Sequence, residues 1–263
     1  MKNPKVISII SEKGGVGKST TCINLAGGLA HLGKKVCIID INPQQNIAQF
    51  FDFEADGKIT FSQILQSAAS EIPFISDSDV KQAIRSSDCG IDYIPSSKQT
   101  LLKIPALCDG DKFVIKNALK SEVFSQYDYI FFDCKDSLEE YLTPECLTAS
   151  DEAIIVTECG QFSFYGLFPV YKAVETIQAK YNSSLKVAGI LINKKLKQSK
   201  ACAEVASITA AHFEEDVFQT EIPFRTAQIE NSIASHTPCS HIKGNTLRNE
   251  YLALAEEYLR RNR

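Results

Sequence analysis

Apolar positions along the chain fall into two rhythms. Short continuous runs of strand length occupy Val6–Ile10, Val36–Ile39, Ile91–Ile94, Tyr129–Phe132, Ala153–Val156 and Val187–Ile192, and a shorter one at Val217-Phe218 predicts a further strand. Between most of them the spacing is helical. Cys22, Leu25, Ala26, Leu29 and Leu32 recur every three or four residues, and Gly33 predicts the end of that helix. Strands that are apolar on both faces and separated by helices predict a parallel sheet covered on both sides. The expected fold is therefore α/β, a doubly wound, mostly parallel sheet with helices on both faces. Residues 52–80 have mixed polarity and weak periodicity, which predicts loop and short helices. No repeat, low-complexity tract or Pro/Gly linker divides the chain, so residues 1–263 are expected to form one domain.

Composition narrows the picture by exclusion. With 44% apolar and 23% charged residues among 263, wholesale disorder is excluded. A net charge of −4 means that any polyanion must be met by a local patch. Nine cysteines, odd in number and never spaced C-x-x-C, argue against a disulfide framework or a zinc site. Cys22 and Cys37 lie within apolar patterns and read as core residues, and the four histidines lack ligand spacing. The first apolar run is cut by Glu12-Lys13, too early for a signal peptide. No run approaches the roughly 20 residues of a membrane span. A reduced, cytoplasmic location is expected.

The chemistry begins after the first run, at Glu12-Lys13-Gly14-Gly15-Val16-Gly17-Lys18-Ser19-Thr20. A strand, a glycine turn and a helix start in that order build an anion site. The glycines let backbone N–H groups converge on phosphate oxygens, and the helix N-terminus adds its positive dipole end. Gly14 to Thr20 are expected to cradle phosphates, with Lys18 reaching the β- and γ-phosphates and the Ser19 hydroxyl on Mg2+. Asp133 closes the Tyr129–Phe132 run, so it should sit at a strand's carboxyl edge. Beside Ser19 it would complete a hard-oxygen site for Mg2+.

Glu12 stands where an ordinary P-loop carries glycine, and Lys13 follows it. The string Lys13 to Ser19 resembles the deviant Walker A motif of the ParA/MinD ATPase family. Further matches span nearly the whole chain. Asp40-Ile41-Asn42-Pro43-Gln44-Gln45-Asn46 resembles the family's D-x-D-P-Q-x-N segment, and Tyr127 to Asp133 resembles its Walker B strand. Ile190 to Asn193 and Ile222-Pro223 resemble the two segments around adenine, and Tyr251 to Ala255 the closing helix. The resemblance implies ATP and Mg2+ as cofactors and a two-fold ATP dimer in which Lys13 crosses to the other subunit's phosphates. It also implies Asp40 and Asn42 as switch residues near the γ-phosphate, with Asn193, Pro223, Phe224 and Arg225 around adenine. Lys13, Lys18, Asp40 and Asn42 would be the catalytic set.

Two departures bear on that expectation. Asn42 replaces the second aspartate of the family segment. An asparagine can hold a water but cannot take its proton, so slow or absent hydrolysis is expected. The intact Asp40, Pro43, Gln44 and Asn46 around it lean toward an introduced change rather than a natural one. After Asp133, Cys134-Lys135-Asp136-Ser137-Leu138 replaces C/T-P-P-S-L, which reads as a tolerated surface loop.

What the nucleotide controls is read in three ways. The first is a partitioning or positioning ATPase that binds nonspecific double-stranded DNA as an ATP dimer and is released by a ParB-like activator. Lys194, Lys195, Lys197 and Lys200, in a stretch without an acid, would neutralise DNA phosphates from a nucleoid-associated protein. The second is a MinD-like membrane-cycling ATPase, which needs a free terminal amphipathic helix; core packing explains the stripe Leu247, Tyr251, Leu254, Ala255 and Tyr258 more simply. The third is an iron–sulfur electron-delivering ATPase, for which Cys134 follows Asp133 too closely.

Overall fold

The computed structural model describes residues 3–70, 74–108, 111–138, 140–196 and 198–262. Among them seven strands form one sheet: β1 (Lys5–Ile10), β2 (Val36–Asp40), β3 (Arg85–Ser86), β4 (Ile91–Ile94), β5 (Tyr129–Asp133), β6 (Glu152–Glu158) and β7 (Lys186–Asn193). Their order is β3-β4-β2-β5-β1-β6-β7. Every pairing is parallel except β3 with β4. The doubly wound, mostly parallel sheet is as expected.

Alternation along each strand supplies both faces. Ile7, Ile9, Ile38, Phe131, Ile154 and Val156 pack on one side, under helix α1 (Lys18–His31) and the closing helix Arg248–Arg261. Val6, Ile10, Ile39, Ile130, Phe132 and Ile155 pack on the other, under helices that include Phe61–Ala68, Leu142–Ala149 and Leu167–Lys180. Burying each such side chain is worth about 1.5–3 kcal/mol, which is why both faces must be covered. Gly28 allows α1 and the closing helix to approach closely: a Cβ there would lie 2.9 Å from the Tyr251 carbonyl. Leu247, Tyr251, Leu254, Ala255 and Tyr258 are all buried in this contact, so the terminal stripe is spent in the core.

Two strand expectations change. The stretch Val217-Phe218 makes a single parallel bridge from Val217 to Ile190 and is not a strand. After Phe218 N–H meets the Ile190 carbonyl at 2.9 Å, the chain moves off and returns at Ile222 to Ile192. β3 has no apolar signature because Arg85-Ser86 is a polar edge. It is held instead by Ser86 Oγ on Asp92 Oδ1 at 2.6 Å. Residues 52–80 form loop with the short helices Phe61–Ala68 and Asp77–Ala83, as predicted, apart from 71–73, which lie outside the described residues. The nine cysteines are free thiols, and Cys22 and Cys37 are buried core residues.

β1 lies between β5 and β6, while the chain leaves it for β2 on the far side of β5. The crossovers therefore part above β1, and a crevice opens at the carboxyl ends of the strands.

Candidate nucleotide site

The loop from β1 to α1 crosses this crevice. Gly15 and Gly17 take left-handed backbone at φ 76° and 95°, which turns the loop back on itself. α1 begins at Lys18, so the first-turn amides of Lys18, Ser19 and Thr20 have no helical carbonyl to meet. The loop is clamped from β7: Asn193 Nδ2 donates to the Val16 carbonyl at 2.7 Å, and its Oδ1 accepts Lys194 N–H at 2.9 Å.

A cavity of about 370 Å³ opens over this turn, lined by Gly15, Lys18, Ser19, Asn42, Asn46 and Asp136 among others. A second, of about 240 Å³, is lined by Asn193, Pro223, Phe224, Arg225, Ile222 and Tyr251 among others. The two share Gly17, Thr20, Lys194 and Ile229. A chamber of mixed lining, with its polar groups at the helix N-terminus, thus runs into a largely apolar one, which suits a phosphate chain with an attached flat ring.

Beneath the first chamber the carboxylates are buried. Ser19 Oγ donates to Asp133 Oδ2 at 2.7 Å, while Asp133 Oδ1 has no hydrogen-bond partner. Asp40 lies beside Asp133 in register on β2. Its oxygens accept Asn42 N–H at 3.1 Å and Ala48 N–H at 3.3 Å. Burial, and for Asp40 the neighbouring Asp133 charge, pushes both carboxyls above their usual range. Burial pulls the Lys18 ammonium down, against the charges of Asp136 and Asp133. An orphaned carboxylate oxygen next to a serine hydroxyl fits a divalent cation with hard-oxygen preference.

The predicted residues meet unevenly. Lys18, Ser19, Thr20 and Asn42 line the first chamber, and Asn193, Pro223, Phe224 and Arg225 line the second. Asp40 is fully buried under the floor, its carboxylate turned to backbone amides. Lys13 is exposed and ion-paired within its own chain to Glu158 Oε2 at 3.0 Å. The lysine cluster divides: Lys194 bonds the Gly15 carbonyl and Glu158 Oε1, Lys195 pairs with Glu221, and Lys200 is exposed at the start of helix Lys200–Phe213. Lys197 lies outside the described residues.

Sequence reasoning missed Glu158 and Asp136. Glu158 carries no local signal, since its role depends on β6 ending beside the loop. Asp136 stood in plain view as a departure from the family string, but it is half-buried and lines the chamber, not a free surface loop. Asn46, quoted only as part of a segment, donates to Ser19 Oγ at 3.1 Å.

A strand–glycine loop–helix with Lys13 ahead of Lys18, and Ser19 bonded to the buried Asp133, defines a P-loop nucleotide-binding protein of the deviant Walker A type. A family profile described as an AAA domain matches residues 4–187. The sporulation initiation inhibitor protein Soj of Bacillus subtilis is 32% identical over 224 residues, covering 83% of this chain and 84% of that protein. The chain belongs to the ParA/Soj family of P-loop ATPases. It is accordingly an ATP-binding protein that works with Mg2+. Among solved structures, a plasmid partition protein from Borrelia burgdorferi is similar at 26% identity and a TM-score of 0.75, over 98% of this chain and 99% of that one. An ATP complex of McdA from Cyanothece matches in fold with a TM-score of 0.82 at 19% identity, over 98% and 97%. Among the described residues no helix is long and apolar enough to cross a membrane.

Proposed function

We propose that this chain is an ATP-gated positioning protein: a single ATPase domain that pairs when ATP is bound, holds nonspecific duplex DNA in that state, and lets go when a ParB-like partner promotes hydrolysis. Its cargo is a DNA molecule or a protein assembly. In this reading it is a cytoplasmic protein associated with the nucleoid.

The phosphate chain lies over Gly14 to Thr20, with Lys18 neutralising β/γ charge and the ring between Asn193 and Pro223 to Arg225. Ser19 and Asp133 would hold Mg2+, which would supply charge neutralisation to the phosphates. Lys13 leaves Glu158 and reaches the phosphates of the other subunit. Asn42 lines the γ-phosphate end and Asp40 holds its loop from below. Because Asn42 cannot accept a proton, turnover that relied on it alone would be slow.

One observation carries the link to DNA. Lys194 lines both chambers, and the lysine-bearing loop that it starts is stitched to the ring chamber. Lys195 N–H meets the Ile222 carbonyl at 2.9 Å, and Phe224 N–H meets the Lys195 carbonyl at 3.0 Å. A ligand seated there touches the loop that carries Lys194 and Lys195 and leads to the exposed Lys200; meeting a polyanion would draw Lys195 from Glu221. The membrane-cycling reading has no such support, since its terminal stripe is buried.

The test is binding to random-sequence duplex with ATP, ADP or no nucleotide across a salt series. Binding only with ATP, weakening steeply with salt and lost when Lys195, Lys197 and Lys200 are neutralised, is expected. Nucleotide-independent binding, or none at low salt, contradicts the reading.

A further inference from the structure

The loop after β5 brings Asp136 over the phosphate loop. A Cβ built on Gly14 would come within 2.5 Å of Asp136 Oδ2, and of the carboxylates near the Lys18 ammonium Asp136 acts on it most strongly. The loop is braced where the family string has prolines: Lys135 Nζ bonds both Glu140 oxygens at 2.6 and 2.7 Å, and Thr143 Oγ1 donates to the Lys135 carbonyl at 3.2 Å.

Asp136 shares the phosphate chamber with Asn42 and Lys18 and is the one acid lining it among the described residues. Asp40 and Asp133 are fully buried and engaged by backbone amides and Ser19. No described residue donates a hydrogen bond to the Asp136 carboxylate. Asn42 Oδ1 is taken by Gln44 N–H at 3.1 Å, which leaves its Nδ2 to donate. The chamber thus offers a water the Asn42 amide as donor and the unclaimed Asp136 carboxylate as acceptor.

We propose that Asp136 is a catalytic residue of ATP hydrolysis, supplying the carboxylate that is absent at position 42. This rests on the ATPase reading of the same chamber. The Asn42 amide donates to the oxygen of the attacking water, and Asp136 accepts one of its protons. The water oxygen bonds to the γ-phosphorus as the bond to the β,γ-bridging oxygen breaks, and that electron pair leaves on ADP. The proton on Asp136 then passes to the departing phosphate. Positioning plus proton acceptance of this kind is worth about 10²-fold or more in rate.

The experiment compares wild type, Asp136→Asn, Asn42→Asp and the double variant with Mg2+-ATP, measuring turnover and, separately, affinity for a fluorescent ATP analogue. D136N is expected to lower kcat about 10²-fold while its nucleotide Kd stays within about threefold, and N42D in that background is expected to restore turnover. Unchanged kcat in D136N overturns the proposal. So does much tighter nucleotide binding with undiminished kcat, which would make Asp136 a competitor of the phosphates for Lys18. Wild type that binds ATP without turnover overturns the role of Asp136 and leaves the ATP-binding reading standing; wild type that binds no ATP sinks that reading itself. If D136N does not fold, Asp136→Ser makes the same comparison.

Discussion

Glu158 holds two lysines of the phosphate site at once, which makes Glu158→Gln an informative perturbation. Its oxygens lie 3.0 Å from Lys13 Nζ and 3.1 Å from Lys194 Nζ. Burial alone would raise its carboxyl, but the two ammoniums outweigh that and hold it below its usual range. Lys13 is 59% exposed and Glu158 25%, so solvent screens the pair and its worth falls at about 0.2–1 kcal/mol. The proposed pairing through Lys13 would break this contact once in each subunit. The glutamine variant removes that cost twice, about 0.4–2 kcal/mol per dimer, or roughly 2- to 30-fold in the dimer dissociation constant. Sedimentation equilibrium with a non-hydrolysable ATP analogue reads this directly. E158Q is expected to dimerise more tightly than wild type at low salt, with the gap closing at high salt as screening weakens the parent pair. Equal or weaker dimerisation of E158Q at low salt would refute the idea that Glu158 parks Lys13.

Two further changes test other parts of the account. Asn193→Ala leaves the Val16 carbonyl unpaired in a buried setting, a loss of about 1–3 kcal/mol, so a fall in Tm together with weaker ATP affinity is expected; unchanged values of both would show that the β7 clamp does not hold the loop. Glu257 accepts Gln219 N–H at 2.7 Å and Thr220 N–H at 2.8 Å and pairs with Arg261 at 3.0 Å. Burial pushes its carboxyl up, but these donors hold it below the ordinary 4.5. A depressed folded pKa contributes stability that is present above 4.5 and lost as pH falls through the folded value. Glu257→Gln should therefore be less stable at neutral pH and lose less stability on acidification, and denaturant midpoints with the same acid slope as wild type would contradict this.

Features that leave a local pattern along the chain are legible in the amino-acid sequence. The parallel strands β1, β2, β4, β5, β6 and β7 announce themselves as short runs rich in β-branched or aromatic residues because they are covered on both faces. The phosphate loop is legible because glycine, lysine and serine must fall at fixed offsets between a strand and a helix. β3 leaves no such trace, because an edge strand of Arg85 and Ser86 buries too little to need apolar residues. Val217-Phe218 misleads for the opposite reason: a buried apolar pair beside β7 resembles a strand although it makes one bridge. The division of the lysine cluster has no local signal, since it depends on Glu158 and Glu221 arriving from distant parts of the chain. Asp136 is legible as a residue but not as a position, because only the fold puts it over Gly14.

The most direct test of the central claim is the mass of the wild-type chain in solution by light scattering, with Mg2+ and ATP, with Mg2+ and ADP, and with neither. The account predicts 29.1 kDa without ATP and twice that with it, the change disappearing in Lys13→Ala. A single mass under all three conditions, whether monomer or dimer, would contradict an ATP-gated pairing through the phosphate loop.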